Sequence, residues 1–500
     1  METLITNLGH GFGVALTFDN LLFAFIGCVI GTAIGVLPGI GPVATISLLL
    51  PITFGQPATT AIIMLAGIYY GAQYGGSTTA ILLNLPGEVS SVVTTLEGYK
   101  MARNGRAGAA LATAAIGSFF AGTVATLLVA ASGPLLTQIA LSFGPADYFS
   151  LMLLGLIISA VLAQGSVLKS IGMVILGVSM GLVGTDVQTG QQRFTFGIPE
   201  LSDGIGFVSI AMGMFGIAEI ILNLERPESR NVLTSKVGSL FLTKAEWKRA
   251  TPSVLRGTIV GSALGILPGG GASLAAFGSY MMERKISRYR HEFGTGAIEG
   301  VAGPESANNA ASQTSFIPLL TLGIPANAVM ALMVGALIIQ GIQPGPRMVE
   351  AQPDLFWGLI ASMWIGNLML LIINLPMIGI WVKLLQVPYK YLYPSILIFC
   401  SIGVYSINNN VFDVYQTLLF GIIGYLFSKL RMEPAPLLIG FVLGPMMEEH
   451  LRRAMLLSRG DAMVFIERPI SATLLAIGAL ALGAMLLPNL RRGKDEALAG

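Results

Sequence analysis

Charge is what this chain has least of. In 500 residues there are 26 acidic and 28 basic side chains, 11% of the total. A water-facing globular surface needs about a quarter of its residues charged, so an ordinary soluble domain is excluded. Cysteine is nearly missing too: Cys28 and Cys400 both lie in apolar runs. That excludes a disulfide framework and fits buried thiols acting as small hydrophobes. The three histidines, His10, His291 and His450, are scattered. No H-E-x-x-H is formed, and His291-Glu292 lacks its second histidine. No G-x-x-x-x-G-K-[ST] phosphate loop occurs, which excludes ATP hydrolysis by this chain. No enzyme chemistry and no cofactor are expected, and nothing in the charge pattern calls for a nucleic-acid partner. Residues 1–20 have no basic start and no convincing cleavage site, so a removable signal peptide is not expected.

What the chain has instead is apolar sequence, 54% of its residues. Runs recur at 20–36, 43–54, 57–70, 108–131, 148–163, 167–184, 205–224, 310–339, 356–382, 411–428 and 470–488, among others. They are continuous rather than alternating, which speaks for helices over a membrane barrel. A spanning helix needs about 20 apolar residues, so the shorter runs read as half-helices, hairpin arms or buried segments. The expectation is an all-α polytopic membrane protein with about 10–12 transmembrane helices plus re-entrant hairpins. The longest polar stretch carries Arg226, Arg230, Lys236, Lys244, Lys248, Arg249 and Arg256, and the C-terminus carries Arg491, Arg492 and Lys494. The positive-inside rule puts both in the cytoplasm. A further cluster, Arg284, Lys285, Arg288 and Arg290, returns to the same side if the segment before it is a re-entrant hairpin.

One apolar sentence occurs twice. Residues 31–41 read GTAIGVLPGIG and residues 261–271 read GSALGILPGGG, differing only at Thr32/Ser262, Ile34/Leu264, Val36/Ile266 and Ile40/Gly270. Each copy is followed by a polar block: YYGAQYGGSTTA at 69–80, running into LLNLPGE, and GPESANNAASQT at 303–314, running into LLTLGIPAN. Pro86 and Pro325 stand at matching points, and the segment 143–161 resembles 386–404. Landmarks in the same order point to duplication. The chain therefore divides into a first membrane repeat (1–224), a charged cytoplasmic linker (225–250), a second membrane repeat (251–490) and a cytoplasmic tail (491–500). Crossing parity decides between parallel and inverted repeats, and two matching re-entrant elements favour the inverted arrangement.

Proline and glycine are the residues least suited to a helix interior. A Pro-Gly-x-Gly break leaves N–H groups at the start of the next half-helix and carbonyls at the end of the previous one. The first suit a carboxylate, the second a cation. The alternative is a kink or a site of close helix packing, and duplication at matching positions favours a site. Substrate contacts are accordingly expected at Pro38, Gly39, Gly41, Pro268, Gly269, Gly270 and Gly271. In the polar blocks Ser77, Thr78, Thr79, Asn84, Asn308, Asn309 and Ser312 offer hydroxyls and amides to the same substrate, or else bond helix to helix. Acids at membrane depth are suspected of function by default. Glu305, with Gln313 and Thr314 beside it, is the first choice for ion coupling. Glu88 closes the first block. Asp147, Asp186, Glu219, Glu299 and Asp413 fit solvated or capping roles better.

GVLPGIGP at 35–42, YYGAQYGGSTTAILLNLPGE at 69–88, GILPGGG at 265–271 and GPESANNAASQTSFIPLLTLGIP at 303–325 together resemble the large membrane subunit, TctA, of bacterial tripartite tricarboxylate transporters. The resemblance spans about residues 20–450. It implies a secondary transporter of the bacterial inner membrane. It further implies a small four-helix membrane subunit (TctB-like) and a periplasmic solute-binding protein (TctC-like) that delivers citrate or another carboxylate. A Na⁺ or H⁺ gradient would drive uptake. By analogy with transporters built on paired re-entrant hairpins, an elevator-like motion is expected. The rival readings are a passive anion channel and a membrane scaffold that only docks a binding protein. The chain lacks the ring-forming charges a channel would use.

Overall fold

The structure, a computed structural model, describes residues 2–37, 41–163, 166–186, 188–225, 239–267, 271–384 and 389–486. Helices run nearly throughout. In the first half they are α1 (Glu2–Ala15), α2 (Phe18–Val36), α3 (Pro42–Thr53), α4 (Ala58–Leu83), α5 (Val92–Met101), α6 (Ala107–Leu141), α7 (Pro145–Leu162), α8 (Val167–Gly181), α9 (Phe207–Ala211) and α10 (Ala218–Glu225). The second half continues with α11 (Lys244–Gly265), α12 (Gly271–Ile286), α13 (Glu299–Thr314), α14 (Phe316–Leu322), α15 (Ala328–Ile339), α16 (Met348–Ala351) and α17 (Pro353–Asn374). It ends with α18 (Ile378–Leu384), α19 (Tyr389–Asn408), α20 (Val411–Lys429), α21 (Ala435–Leu457), α22 (Val464–Glu467) and α23 (Pro469–Leu486). The strand content among the described residues is one short ladder, Gly184 opposite Arg193 and Thr185 opposite Gln192.

This is an all-α polytopic membrane protein. Among the described residues six stretches are long and apolar enough to cross a bilayer: Phe18–Val36, Val89–Leu141, Pro145–Leu162, Phe207–Glu225, Pro353–Asn374 and Val411–Lys429. Shorter apolar helices, Pro42–Thr53, Val167–Gly181, Ala328–Ile339 and Pro469–Ala484, stand beside them. The two helices carrying the polar blocks are clothed in protein instead. In α4 every residue from Thr60 to Leu83 is buried, and in α13 every residue is. Backbone and side-chain polar groups at membrane depth are tolerated where protein covers them.

Two glycine seams hold these helices. On α2 a methyl added to Gly27, Gly31 or Gly35 would stand 2.3, 2.4 and 2.4 Å from the carbonyl oxygens of Met64, Ile68 and Ala72 on α4. On α11 a methyl on Gly257, Gly261 or Gly265 would stand 2.2, 2.2 and 2.5 Å from those of Gly303, Ala307 and Ala311 on α13. Small residues every fourth position let two backbones touch, which is how helices associate without a hydrophobic driving force between them. The same geometry therefore recurs at both copies of the repeated sentence. It recurs again downstream. α4 ends on Asn84 and α14 on Gly323, both left-handed (φ 57° and 74°). Glu88 and Asn327 then start the next helical turns from matching extended conformations (φ −149° and −156°).

The breaks fall where the sequence places them. α2 ends at Val36 and α3 begins at Pro42, while α11 ends at Gly265 and α12 begins at Gly271. One expected boundary shifts. Thr243 and Glu246 form a reciprocal capping box, so α11 starts at Lys244 inside the stretch read as linker; residues 226–238 and the 491–500 tail lie outside the described residues. The segment with Lys100, Arg103 and Arg106 leads from α5 into α6 through a kink at Gly105 (φ 77°). Arg106 there pairs with Glu246 at 2.7 Å.

Two arginines of the first basic cluster are held by acids flanking the second. Arg249 binds Glu292 and Glu299 (2.7 and 2.8 Å), and Arg256 binds Glu283 (2.6 Å), joining the start of α11 to the end of α12. At Glu97 the loop before α13 is fixed by backbone N–H donors from Gly296 and Ala297 (2.8 and 3.0 Å) and by the Tyr280 hydroxyl (2.9 Å).

Candidate functional site

α4 and α13 pack against one another, each carrying one polar block. A helix presents residues three and four apart on one face, so Glu305, Asn308 and Ser312 point together from α13, and Gln73 and Ser77 from α4. The Ser77 hydroxyl donates to Glu305 Oε2 at 2.5 Å, and the Thr94 hydroxyl donates to Oε1. Glu305 is 1% exposed. Asn308 Nδ2 donates to Glu88 Oε1 at 3.4 Å. Ser90 reaches the same carboxylate and also Gln73 Oε1 at 2.9 Å. Asn309 Nδ2 donates to Ser118 Oγ on α6 at 2.7 Å. Ser312 donates to its own helix at Asn308 O (3.0 Å) and lies beside the Tyr69 hydroxyl together with Ser315 and Asn327.

The two polar blocks are thus one cluster for Ser77, Glu305, Asn308, Asn309 and Ser312. Other residues singled out in the sequence do different work. Thr79 donates to Val36 O at 2.6 Å, satisfying a carbonyl at the end of α2. Thr314 donates to Ala310 O at 3.1 Å and packs against Gly265. Asn84 is exposed and left-handed at the end of α4, a position where asparagine serves backbone conformation. Gln313 is buried with Oε1 unpartnered, as is Asn308 Oδ1. Thr78 lines a small cavity with Ser77. Gly41 precedes α3 in extended conformation, and Gly271 opens α12 at φ 55° with Asn327 3.5 Å from where its side chain would begin. Pro38, Gly39, Pro268, Gly269 and Gly270 lie outside the described residues.

The other acids divide by partner. Asp147 caps α7 through Gly144 N (2.8 Å) and holds Arg468 at 2.5 Å. Asp186 holds Arg452 at 2.8 Å, and Glu299 holds Arg249. Asp413 accepts from Asn408 (2.9 Å) and Glu219 from Asn223 (3.3 Å). Glu88 and Glu305 reach only hydroxyls and amides in the contacts described. A buried carboxylate needs a proton or a cation for company, so this pair is where a small cation or proton has most to gain. Thr94, Ser90, Ser118 and Tyr69 were not singled out as contacts from sequence. Ser118 is one of four hydroxyls in the 108–131 apolar run, with Thr113, Thr123 and Thr126, and nothing local distinguishes it from them.

Comparison with known proteins agrees on the family. The model of the "Tripartite tricarboxylate transporter TctA family" matches residues 21–439. A protein of Agrobacterium vitis described as "Uncharacterized 52.8 kDa protein in TAR-I ttuC' 3'region" is 61% identical over 496 residues, 99% of this chain and 99% of the relative. A second from the same organism, "Uncharacterized protein in TAR-II ttuC' 3'region", is 64% identical over 236 residues, 47% of this chain and 98% of the relative. No solved structure matches the chain.

Proposed function

The chain belongs to the TctA family of tripartite tricarboxylate transporters, and on that premise we propose that it is the substrate-translocating large subunit of a binding-protein-dependent secondary transporter. Its cargo is a tricarboxylate or a related carboxylate, and a Na⁺ or H⁺ gradient drives import across the bacterial inner membrane. A small membrane subunit and a periplasmic binding protein complete the system. The observation that carries this reading is the Ser77–Glu305 hydrogen bond, which brings the polar block of each half to one buried cluster between broken helices. Hydroxyls and amides there bind carboxylate oxygens without a fixed cation, and the helix starts after each break favour an anion. The matched glycine seams and the matched Asn84/Gly323 and Glu88/Asn327 positions support two repeats, and the paired re-entrant elements favour their inverted arrangement. An elevator-like movement of the motif-bearing helices against the rest follows by analogy.

The test is reconstitution of the chain with its two partners in liposomes. Uptake of a panel of labelled carboxylates is measured with an imposed Na⁺ gradient, an imposed pH gradient, or neither. Accumulation against a concentration gradient that requires one of the two is the expected result. Uptake that only equilibrates and ignores both gradients rejects secondary transport and leaves the channel reading. Loss of all dependence on membrane translocation, with the binding protein still captured, leaves the scaffold.

A further inference from the structure

A cavity lies one hydroxyl away from Glu305. Tyr74, Ser77 and Thr78 of α4, Ser118 of α6 and Asn374 of α17 supply its polar wall. Its free volume of about 10 Å³ takes a single water-sized body. Three features give it a sign. First, Asn374 is 4% exposed and its Oδ1 has no partner, whereas its Nδ2 is used, donating to Leu370 O at 2.9 Å and to Thr32 Oγ1 at 3.5 Å. An oxygen is therefore what Asn374 has left to offer. Second, α17 ends at Asn374 after 22 residues, and a helix C-terminus carries about half a negative charge. Third, the hydroxyls in the wall lead to an acid: Ser77 donates to Glu305 Oε2 at 2.5 Å, and Ser118 accepts from Asn309 one turn along the same helix.

We infer that this cavity between α4, α6 and α17 is a Na⁺ site. It rests on the transport reading above and deepens it by naming where the coupling ion sits. The lining donors are neutral oxygens, hydroxyls and an amide carbonyl. Hard divalent ions take several carboxylates or keep their water, which this wall cannot supply; a monovalent ion asks for less. A cation here faces the α17 carbonyl end, is ligated by Asn374, and sits close enough to Glu305 to compensate its charge through Ser77. Because the wall belongs to three helices and its hydroxyls grip α13, filling the site ties the two polar blocks together. Asn374 comes from α17 and Ser118 from α6, both mainly apolar.

The experiment is equilibrium binding of radiolabelled Na⁺ to the purified full-length chain in lipid nanodiscs, with choline chloride holding ionic strength constant. Wild type is expected to bind saturably, with choline not competing. Asn374→Ala removes the unpartnered oxygen and raises half-saturating Na⁺ by about tenfold or more. Asn374→Asp keeps the oxygen and adds charge, and lowers it by about tenfold; this second variant decides the matter should the alanine form fail to fold. No saturable binding by wild type, or an affinity unchanged in either folded variant, overturns the site. Carboxylate uptake run in parallel separates the two claims. Na⁺-driven uptake indifferent to Asn374→Ala rejects the site and leaves transport standing. Asn374-dependent Na⁺ binding without any carboxylate uptake keeps the site and rejects the transport reading.

Discussion

Ser77 and Glu305, 228 positions apart in the chain, share a 2.5 Å hydrogen bond with both residues buried. The bond joins the one helix that carries GGSTT to the one that carries ESANN, and it makes a single polar cluster out of two sequence motifs. The Thr94 hydroxyl holds the other oxygen of Glu305, so the carboxyl is presented with both oxygens oriented and, among the described residues, no basic side chain bonded to it. That is an arrangement suited to gaining and losing a small positive charge.

Glu305→Gln keeps the shape and removes the charge. Gradient-driven uptake is expected to fall at least about tenfold while substrate binding changes far less, the split expected when an interaction serves translocation rather than ground-state binding. Ser77→Ala should instead cost stability, about 1–3 kcal/mol, because it leaves a buried acceptor unmet. Uptake under a gradient and thermal unfolding in nanodiscs separate the two outcomes. Equal loss of uptake and stability in both variants argues that Glu305 is structural.

The glycine seams make a sharper mechanical claim. Gly261→Ala places a methyl 2.2 Å from Ala307 O and Gly31→Ala one 2.4 Å from Ile68 O, so α11 must part from α13 and α2 from α4. Each change is expected to destabilise by about 1–3 kcal/mol through overpacking. Gly13, on α1, has nothing within 4 Å of the added methyl. There the same substitution removes glycine from a helix interior and should stabilise by about 0.5–1 kcal/mol. Melting temperatures of the three variants, compared in one lipid, check the ordering. A neutral Gly261→Ala would show that the seam is not in close contact.

Much of this was written in the sequence, and the reasons differ by element. Long apolar runs announce helices because the bilayer permits little else, and α6, α7, α17 and α20 lie where their runs do. The ends of α2 at Val36 and of α11 at Gly265 were legible because a Pro-Gly-x-Gly sequence follows each. The polar blocks were legible as exceptions inside apolar sequence, yet their assignment residue by residue was not. Thr79, Asn84 and Ser77 look alike in a string. Only the packing of α4 against α2 and α13 brings Thr79 to a helix end and Ser77 to Glu305, while Asn84 turns the chain locally. Thr94 and Asn374 arrive from segments far off in sequence, and no local pattern foretells such neighbours.

Away from the centre, the hairpin at 184–193 is held by charge. Arg452 donates to both oxygens of Asp186 (3.1 and 2.8 Å) and also to Glu448 at 2.6 Å. Its guanidinium, with the Gln188 N–H, keeps the Asp186 carboxyl well below the usual carboxylate range. A lowered folded value means that the contribution to stability is fully present above the unfolded value of about 3.9 and is lost only as pH falls through the folded one. Amide protection at Asp186, whose N–H donates to Gln191 O at 2.8 Å, corrected for intrinsic exchange, should therefore stay level from about pH 7 to about pH 4. Arg452→Ala should lower it across that range and let it fall further toward the ordinary carboxylate region. Protection that drops between neutral and mildly acidic pH in the wild type would assign the hairpin's hold to some other group.

Asn84 offers the cleanest separation of conformation from binding. Its sequence context, between GGSTT and LPGE, suggests a ligand; its φ of 57° at the end of α4 suggests a turn residue that glycine would replace, as glycine does at the matching Gly323. Asn84→Gly keeps the left-handed conformation and deletes the amide. If the role is conformational, stability changes by no more than a few tenths of a kcal/mol, as expected where glycine and asparagine both accept αL, and carboxylate uptake stays at the wild-type level. Asn84→Val keeps no amide and resists the conformation, so it should cost about 1–2 kcal/mol and depress uptake only through loss of folded protein. A folded, stable Asn84→Gly that no longer transports would reverse the conclusion and return Asn84 to the substrate contacts that the sequence suggests.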